Sequence, residues 1–380
     1  MSAIYPAIDP DGLSEFSVVF NDRSLNHMST EFQGIMRQLS STLKQVYQAD
    51  AVALVPGGGT YGMEAVARQF ATGKRCLVIR NGWFSYRWSQ IFAMGKIPSS
   101  HTALKARAQS PAPQAPFAPP PLAEVVATIE RERPDLVFAP HVETSSGILL
   151  PDDYVRAVAA ATHEVGGLFV LDCIASGALW LNMRALAVDI LISAPQKGWG
   201  ASPGCALIML GAEASRRIAT TESTSFACDL LKWLQIMQAY EAGGHAYHAT
   251  MPTDMLAHFH AVMRDMEARG FASLEAAQHS LGQKVRALLA QKGYASVAAP
   301  GFAAPGVVVC YTDDEAVHKG SAFAKLGLQT AAGVPLKCDE PPGFKTFRLG
   351  LFGIDKLTQV DATVERLRQV LDRLEVSGAP

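Results

Sequence analysis

The chain has 380 residues, enough for one large and one smaller domain. Its net charge of −2 gives no reason to expect a nucleic acid or an anionic membrane as partner. No apolar run reaches the roughly 18 residues of a membrane span, and the amino terminus lacks the pattern of a secretory signal. The six cysteines form no CxxC pair, so we expect free thiols, a cytoplasmic protein and no metal site.

Strand and helix patterns alternate through the first part of the chain. An amphipathic helix is predicted over residues 30–48, and Thr30 and Gln33 have the spacing of a capping box. Short apolar runs predict strands at 51–55, 76–80, 135–139, 167–172, 188–193 and 205–210. Helical patterns lie between several of them, at 84–94, 122–132 and 152–165. This alternation predicts an α/β fold with a mostly parallel sheet between helices.

The pattern changes after about residue 226. Helical patterns cover 226–241, 252–270 and 272–292, strands follow at 306–312 and 346–350, and a helix at 357–374 closes the chain. We therefore predict an N-terminal arm (1–28), a large domain (29–255) and a small C-terminal α+β domain (256–380). The proline-rich residues 109–121 are expected to form an extended surface loop.

An acid and a lysine follow two of the predicted strands. Asp172 ends the strand at 167–172, and Lys197 comes shortly after the strand at 188–193. Functional side chains of an open α/β sheet gather where its parallel strands end. A lysine there can bind an aldehyde cofactor, and an acid can keep the cofactor's ring nitrogen protonated. Either residue alone is more often a loop or capping residue, but the ordered pair indicates pyridoxal phosphate chemistry.

Other polar and aromatic segments lie at similar strand ends. Residues 57–60 (GGGT) can bind a phosphate, although a tight turn without a ligand explains them equally well. Phe84 follows a strand and can stack on a flat heterocycle, although core packing is the commoner reason for such a ring. Thr144 lies in a polar segment after the strand at 135–139. Arg348, between apolar neighbours, requires an anionic partner.

Together these segments resemble the class V aminotransferases of the type I pyridoxal phosphate fold, in particular the alanine–glyoxylate and serine–pyruvate group. The resemblance covers roughly residues 26 to 375, and its motifs occur in family order. They are GGGTYGMEA at 57–65, NGWFSYR at 81–87, HVETSSG at 141–147, Asp172, the pair 196–197 and YHATMP at 247–252. The resemblance implies a seven-stranded type of sheet in the large domain and a smaller C-terminal α+β domain.

The resemblance also implies roles for single residues. Lys197 and Asp172 are the implied catalytic residues, and Arg348 is the implied site for the substrate carboxylate. The further implied contacts of pyridoxal 5′-phosphate are Gly58, Gly59, Thr60, Phe84, Thr144, Gln196, Tyr247 and Thr250. Because Tyr247 and Thr250 serve the neighbouring subunit's phosphate in the family, the resemblance implies a homodimer with shared active sites.

The implied activity is transfer of an amino group from a small amino acid, such as alanine or serine, to glyoxylate or pyruvate by a ping-pong mechanism. A 2-aminoethylphosphonate-type transaminase is an alternative. A lyase such as a cysteine desulfurase is another, since Cys338 is predicted in a flexible loop before Arg348 and can act as a mobile nucleophile. A non-catalytic cofactor-binding module is a third.

Overall fold

The computed structural model describes residues 13–377. The first part of the predicted N-terminal arm and the last three residues of the predicted C-terminal domain lie outside this range. Within it no helix combines the length and the apolar character needed to cross a bilayer.

The strands of the described part are short. Their bounds are β1 (Ala51–Gly57), β2 (Arg75–Arg80), β3 (Ser100–Lys105), β4 (Arg107–Ala108), β5 (Phe117–Ala118), β6 (Leu136–Pro140), β7 (Leu168–Asp172), β8 (Ile190–Ser193), β9 (Gly204–Leu210), β10 (Val307–Tyr311), β11 (Ala331–Ala332) and β12 (Thr346–Gly350). Each strand predicted from an apolar run is therefore present, with bounds shifted by no more than a few residues.

The helices range from one turn to six. Those of the large sheet region are α1 (Thr30–Tyr47), α2 (Gly59–Phe70), α3 (Trp83–Gly95), α4 (Leu122–Glu132), α5 (Asp152–Glu164), α6 (Met183–Leu186) and α7 (Ala212–Arg217), followed by a 3₁₀ turn at Ile218–Thr220. The rest are α8 (Leu230–Glu241), α9 (Thr253–Arg269), α10 (Phe271–Gln291), α11 (Glu315–His318), α12 (Ser321–Lys325), α13 (Ile354–Thr358) and α14 (Val360–Ser377).

A seven-stranded sheet forms the centre, in the order β1-β9-β8-β7-β6-β2-β3. Only β9 runs against its neighbours β1 and β8, and the other pairs that involve β2, β3, β6, β7 and β8 are parallel. Every residue of β6, β7 and β8 is buried, as expected for strands covered by helices on both faces. The predicted mostly parallel sheet between helices is confirmed.

Helix α1 shows how the apolar pattern produces packing. Phe32, Leu39 and Leu43 follow one another at spacings of seven and four residues, lie on one face and are fully buried. The capping residue is Ser29, whose hydroxyl accepts a hydrogen bond from the Phe32 amide at 3.1 Å. The predicted capping box at Thr30 is therefore wrong by one residue, because Thr30 already has a helical backbone.

The C-terminal part contains a separate antiparallel sheet in the order β10-β12-β11. The predicted domain boundary at 255/256 falls inside the continuous helix α9, and the division into domains stays a prediction. The predicted final helix is two helices, α13 and α14, which are separated at Gln359. Of the proline-rich segment, residues 109–114 are exposed as predicted, but 117–120 are buried, since the backbone of Phe117 hydrogen-bonds with Val297 and Ala299 and its ring joins a buried cluster.

Candidate active site

The predicted catalytic residues meet at the carboxyl ends of the parallel strands. Asp172 is the last residue of β7, and Lys197 lies in the turn that follows β8. Both line a cavity of about 100 Å³. The other predicted site residues that line it are Gly59, Thr60, Phe84, Thr144 and Gln196. The strand order brings these segments together, although more than 130 residues separate the first from the last.

Asp172 is a buried acid with a free acceptor. Its Oδ1 accepts a hydrogen bond from the Ile174 amide at 2.9 Å. Among residues 13–377, none donates a hydrogen bond to Oδ2. Burial raises the pKa of this carboxyl to about 6, against the opposing effects of the Ile174 amide and the charge of Lys197. The second oxygen can therefore accept a proton or hydrogen bond from a ligand.

Lys197 lies in a turn where the next residue packs directly against another backbone segment. A Cβ at Gly198 would overlap the backbone of Gly177, so the close approach requires glycine there. Burial lowers the pKa of the Lys197 amine, while the negative charges of Asp172 and Glu143 act in the opposite direction. A lowered pKa increases the fraction of neutral amine, which is the form that attacks an aldehyde.

A buried glutamate holds the backbone at the amino end of α3, the helix that carries Phe84. Glu143 Oε1 accepts from the Phe84 amide at 3.1 Å, and Oε2 accepts from the Ser85 amide at 2.9 Å and the Ser85 hydroxyl at 2.6 Å. Ser145 also donates to Oε1, through its amide and its hydroxyl. A Cβ at Gly82 would lie 2.7 Å from Glu143 Cγ, so only glycine allows this approach. Glu143 therefore acts as the helix cap of α3.

Sequence reasoning missed Glu143. It lies inside the motif HVETSSG, whose hydroxyl residue Thr144 was predicted to contact the cofactor. A single acid in a polar segment is typical of a solvated loop, and only the folded chain shows that this one is fully buried. One feature of the sequence could have indicated its role. Glu143 follows the end of one predicted strand, and an Asn-Gly segment follows the end of another.

We expect Glu143→Gln to lower the free energy of unfolding by about 3 kcal/mol. Both carboxylate oxygens accept from a backbone amide, so the amide nitrogen of glutamine faces a donor in either orientation. Urea denaturation measures the loss. The matched control is Glu340→Gln, because Glu340 also accepts backbone amides through both oxygens but is only partly buried. Equal stability of Glu143→Gln and the wild type would contradict the capping role.

Two arginines lie beside the Phe84 ring. The guanidinium carbon of Arg348, on β12, is 5.5 Å from the ring centroid, and Nε donates to the Ala332 carbonyl at 2.7 Å. Burial lowers the pKa of the Arg348 guanidinium, and the charge of Glu143 opposes that effect. Arg87 on α3 lies 5.0 Å from the same centroid and also lines the cavity. Sequence reasoning identified Arg348 but not Arg87, since Arg87 stands in a helical pattern rich in aromatic residues.

Four predicted site residues lie outside the cavity lining, and Arg348, beside the Phe84 ring, is one of them. Gly58 is the residue before α2, next to two lining residues. Tyr247 and Thr250 are exposed on the surface, and their hydroxyl oxygens are 3.1 Å apart. The structure of one chain therefore does not bring Tyr247 and Thr250 into its own cavity.

Cys338 differs from the expectation for a mobile nucleophile. It is only 4% exposed, and its thiol donates to the Arg80 carbonyl at 3.4 Å. Burial raises the pKa of the thiol to about 12, so the reactive thiolate is disfavoured. The prediction of a flexible, reactive loop cysteine is wrong, because the loop packs back against the end of β2. All six cysteines are free thiols.

Curated proteins with similar sequences bear different names. The chain is 25% identical over 355 residues to the soluble hydrogenase small subunit of a Synechococcus species, across 92% of this chain and 88% of that protein. It is 27% identical over 244 residues to the alanine–glyoxylate aminotransferase of Rattus norvegicus, across 60% of this chain and 54% of that protein. The aligned part thus spans about half the length of the rat enzyme. No family model matches the chain.

The fold has close counterparts among solved structures. The alanine–glyoxylate aminotransferase of a Nostoc species superposes with a TM-score of 0.74 and 22% identity, over 92% of this chain and 89% of that chain. This likeness confirms the predicted type I fold. Together with the sequence similarities it confirms the predicted resemblance to the alanine–glyoxylate group of the class V aminotransferases.

Proposed function

We propose that the protein is a pyridoxal 5′-phosphate-dependent aminotransferase that transfers the amino group of a small amino acid to a small 2-oxo acid. One observation carries the proposal: Asp172 and Lys197 face a common cavity that Phe84 also lines. An acid for the ring nitrogen, an amine for the aldehyde and an aromatic ring for stacking are the groups that this cofactor requires.

The residues present fit that cofactor. The hydrogen bond that Asp172 accepts goes to Oδ1, which leaves Oδ2 for a ligand. The buried Gln196 Oε1 has no hydrogen-bond partner. The first amides of α2, at Gly59 and Thr60, have no acceptor within the helix. Together with the helix dipole, these free N–H groups favour binding of an anion. A Cβ at Gly59 would lie 2.5 Å from Ile174 Cδ1, so this approach of α2 to the end of β7 needs glycine. Asp172, Lys197, Phe84, Gln196 and the α2 turn would hold the cofactor.

Each residue of the chain has a separate task in this proposal. When bound, the cofactor supplies an electron sink for the substrate's α-carbon. The Asp172 carboxylate would hold a proton at the ring nitrogen, and Lys197 Nζ would accept the proton that leaves the α-carbon and donate it to the carbon that carried the cofactor's aldehyde. The Arg348 guanidinium binds the substrate carboxylate and sets the orientation of the α-hydrogen.

We propose alanine or serine as the class of amino donor and glyoxylate or pyruvate as the class of acceptor, with ping-pong kinetics. The name of the rat relative and the single arginine on β12 support this choice. A panel of amino compounds, each mixed with the cofactor-loaded protein, tests it by the loss of the bound cofactor's absorbance band. Small amino acids are expected to bleach the band and 2-oxo acids to restore it. Bleaching by 2-aminoethylphosphonate alone would favour the alternative transaminase.

We further propose a homodimer with shared sites and a cytoplasmic location. A cavity of about 100 Å³ is smaller than the roughly 300 Å³ at which most small-molecule pockets begin, which supports a site that a second chain completes. Tyr247 and Thr250 are exposed and paired, as expected for residues that serve a partner. Sedimentation that finds an active, cofactor-loaded monomer would contradict the shared site. Six free cysteines support the cytoplasmic location.

Cys338→Ala separates the proposed transaminase from a desulfurase. We expect amino transfer to fall by less than about twofold, because the buried thiol makes only a weak contact with a backbone carbonyl. A desulfurase that used this thiol would lose its turnover of cysteine. Rates of amino transfer and of sulfide release, measured side by side for the variant and the wild type, decide between the two.

A further inference from the structure

Arg87 is a cation of the cavity to which the proposed reaction assigns no task. It lies on α3, almost one turn after Phe84, and lines the same cavity as Lys197 and Asp172. Its Nη1 donates to the Thr60 hydroxyl at 2.8 Å. The side chain therefore bridges from α3 to the turn between β1 and α2.

The charge of Arg87 has no partner within the described part of the chain. No carboxylate oxygen in residues 13–377 lies within ion-pair distance of its guanidinium, although Asp172 lines the same cavity. A guanidinium has five N–H donors, and its one hydrogen bond goes to a neutral hydroxyl. A partly buried guanidinium in this state is best satisfied by an anion with several oxygens.

The groups around Arg87 favour the same kind of ligand. Thr60 belongs to the first turn of α2, where free backbone amides and the helix dipole favour negative charge. The charged residues that line the cavity are Arg87, Lys197 and Asp172, so the cations exceed the acids by one. No atom lies within 4 Å of a Cβ built on Gly58, so space is open beside the turn.

We propose that Arg87 binds the cofactor's phosphate, together with the Thr60 hydroxyl and the first amides of α2. This inference rests on the proposed function, because it assumes that the ligand is pyridoxal phosphate. A distal anion of the substrate is the other source of the same chemistry. The bond to Thr60 favours the phosphate, because it ties Arg87 to the turn that presents the helix amides.

Equilibrium binding of two ligands to the cofactor-free full chain tests the proposal. Pyridoxal 5′-phosphate carries the phosphate and pyridoxal lacks it, and the absorbance of the bound aldehyde reports both. We expect Arg87→Gln to weaken binding of the phosphorylated form by about tenfold to a hundredfold, and binding of pyridoxal by less than about threefold. Arg68→Gln is the matched control, since it removes a guanidinium from α2 outside the cavity lining, and it should leave both affinities close to wild type.

The outcomes distinguish this inference from the proposed function. If the wild type binds pyridoxal phosphate at Lys197 and Arg87→Gln binds it equally tightly, the role of Arg87 is overturned and the function stands. If Arg87→Gln changes only the substrate concentration that gives half-maximal rate with dicarboxylate or phosphonate amines, Arg87 binds the distal anion of the substrate. The inference is then also overturned. If the wild type binds neither ligand, both proposals fail. Arg87→Lys, which keeps the charge, should bind with intermediate affinity and remains informative if the glutamine variant unfolds.

Discussion

Lys197→Ala is expected to abolish covalent capture of the cofactor and to lower the rate of amino transfer by at least about 10⁴-fold. The amine is the only lysine nitrogen that lines the cavity of the described chain, and it lies 5.7 Å from the centroid of the Phe84 ring. Alanine removes both the bond to the aldehyde and the base that moves the α-proton. Absorbance spectra and single-turnover rates with alanine as donor measure the two losses.

The controls for this variant follow from its surroundings. Lys337→Ala removes a lysine from the neighbourhood of another aromatic ring, Trp83, at 5.7 Å, without touching the cavity. It should keep the bound cofactor's spectrum and most of the turnover. If Lys197→Ala retained wild-type turnover, the amine would have no catalytic task, whatever the fold.

Asp172→Asn is expected to have opposite effects on activity and on the stability of the cofactor-free protein. Asparagine cannot hold a proton at the ring nitrogen, so amino transfer should fall by about 10²-fold to 10³-fold. The folded-state pKa of Asp172 is raised to about 6, so the ionised carboxylate destabilises the folded protein at higher pH. The neutral asparagine avoids that effect.

The pH dependence of stability makes this prediction specific. Because the pKa is raised from 3.8 to about 6, the destabilisation grows as pH rises from about 4 through 6. The free energy of unfolding of the cofactor-free variant should exceed that of the wild type by about 3 kcal/mol at pH 8 and by less than about 1 kcal/mol at pH 4. Urea denaturation at both values measures the difference. A variant that is less stable than the wild type at pH 8 would show that Asp172 supports the fold instead of serving a ligand.

The sequence was sufficient to predict the sheet and most of the cavity. Strands such as β7 are continuous apolar runs, and the acid or lysine that follows them has to lie at one edge of a parallel sheet. Asp172 and Lys197 could therefore be placed together from two separate segments. Their contribution to one cavity depends on the pairing of β7 with β8, which the structure shows and the local patterns do not indicate.

What the sequence could not indicate depends on contacts between distant segments. Glu143 is a cap for α3 only because β6 ends beside β2, and Arg87 reaches Thr60 only across the space between two helices. Cys338 was predicted to be mobile from loop composition, but its burial depends on a contact with Arg80, more than 250 residues away in the chain. The final helix is divided at Gln359, although the apolar pattern at 357–374 continues through that residue.

Reduction of the cofactor-loaded protein with borohydride, followed by mass spectrometry of its peptides, tests the central claim most directly. We expect the reduced cofactor to be attached to the peptide that contains Lys197, at close to one per chain, and to be absent from the Lys197→Ala variant. An unmodified Lys197 in protein supplied with pyridoxal phosphate, or attachment at another lysine instead, would contradict the account.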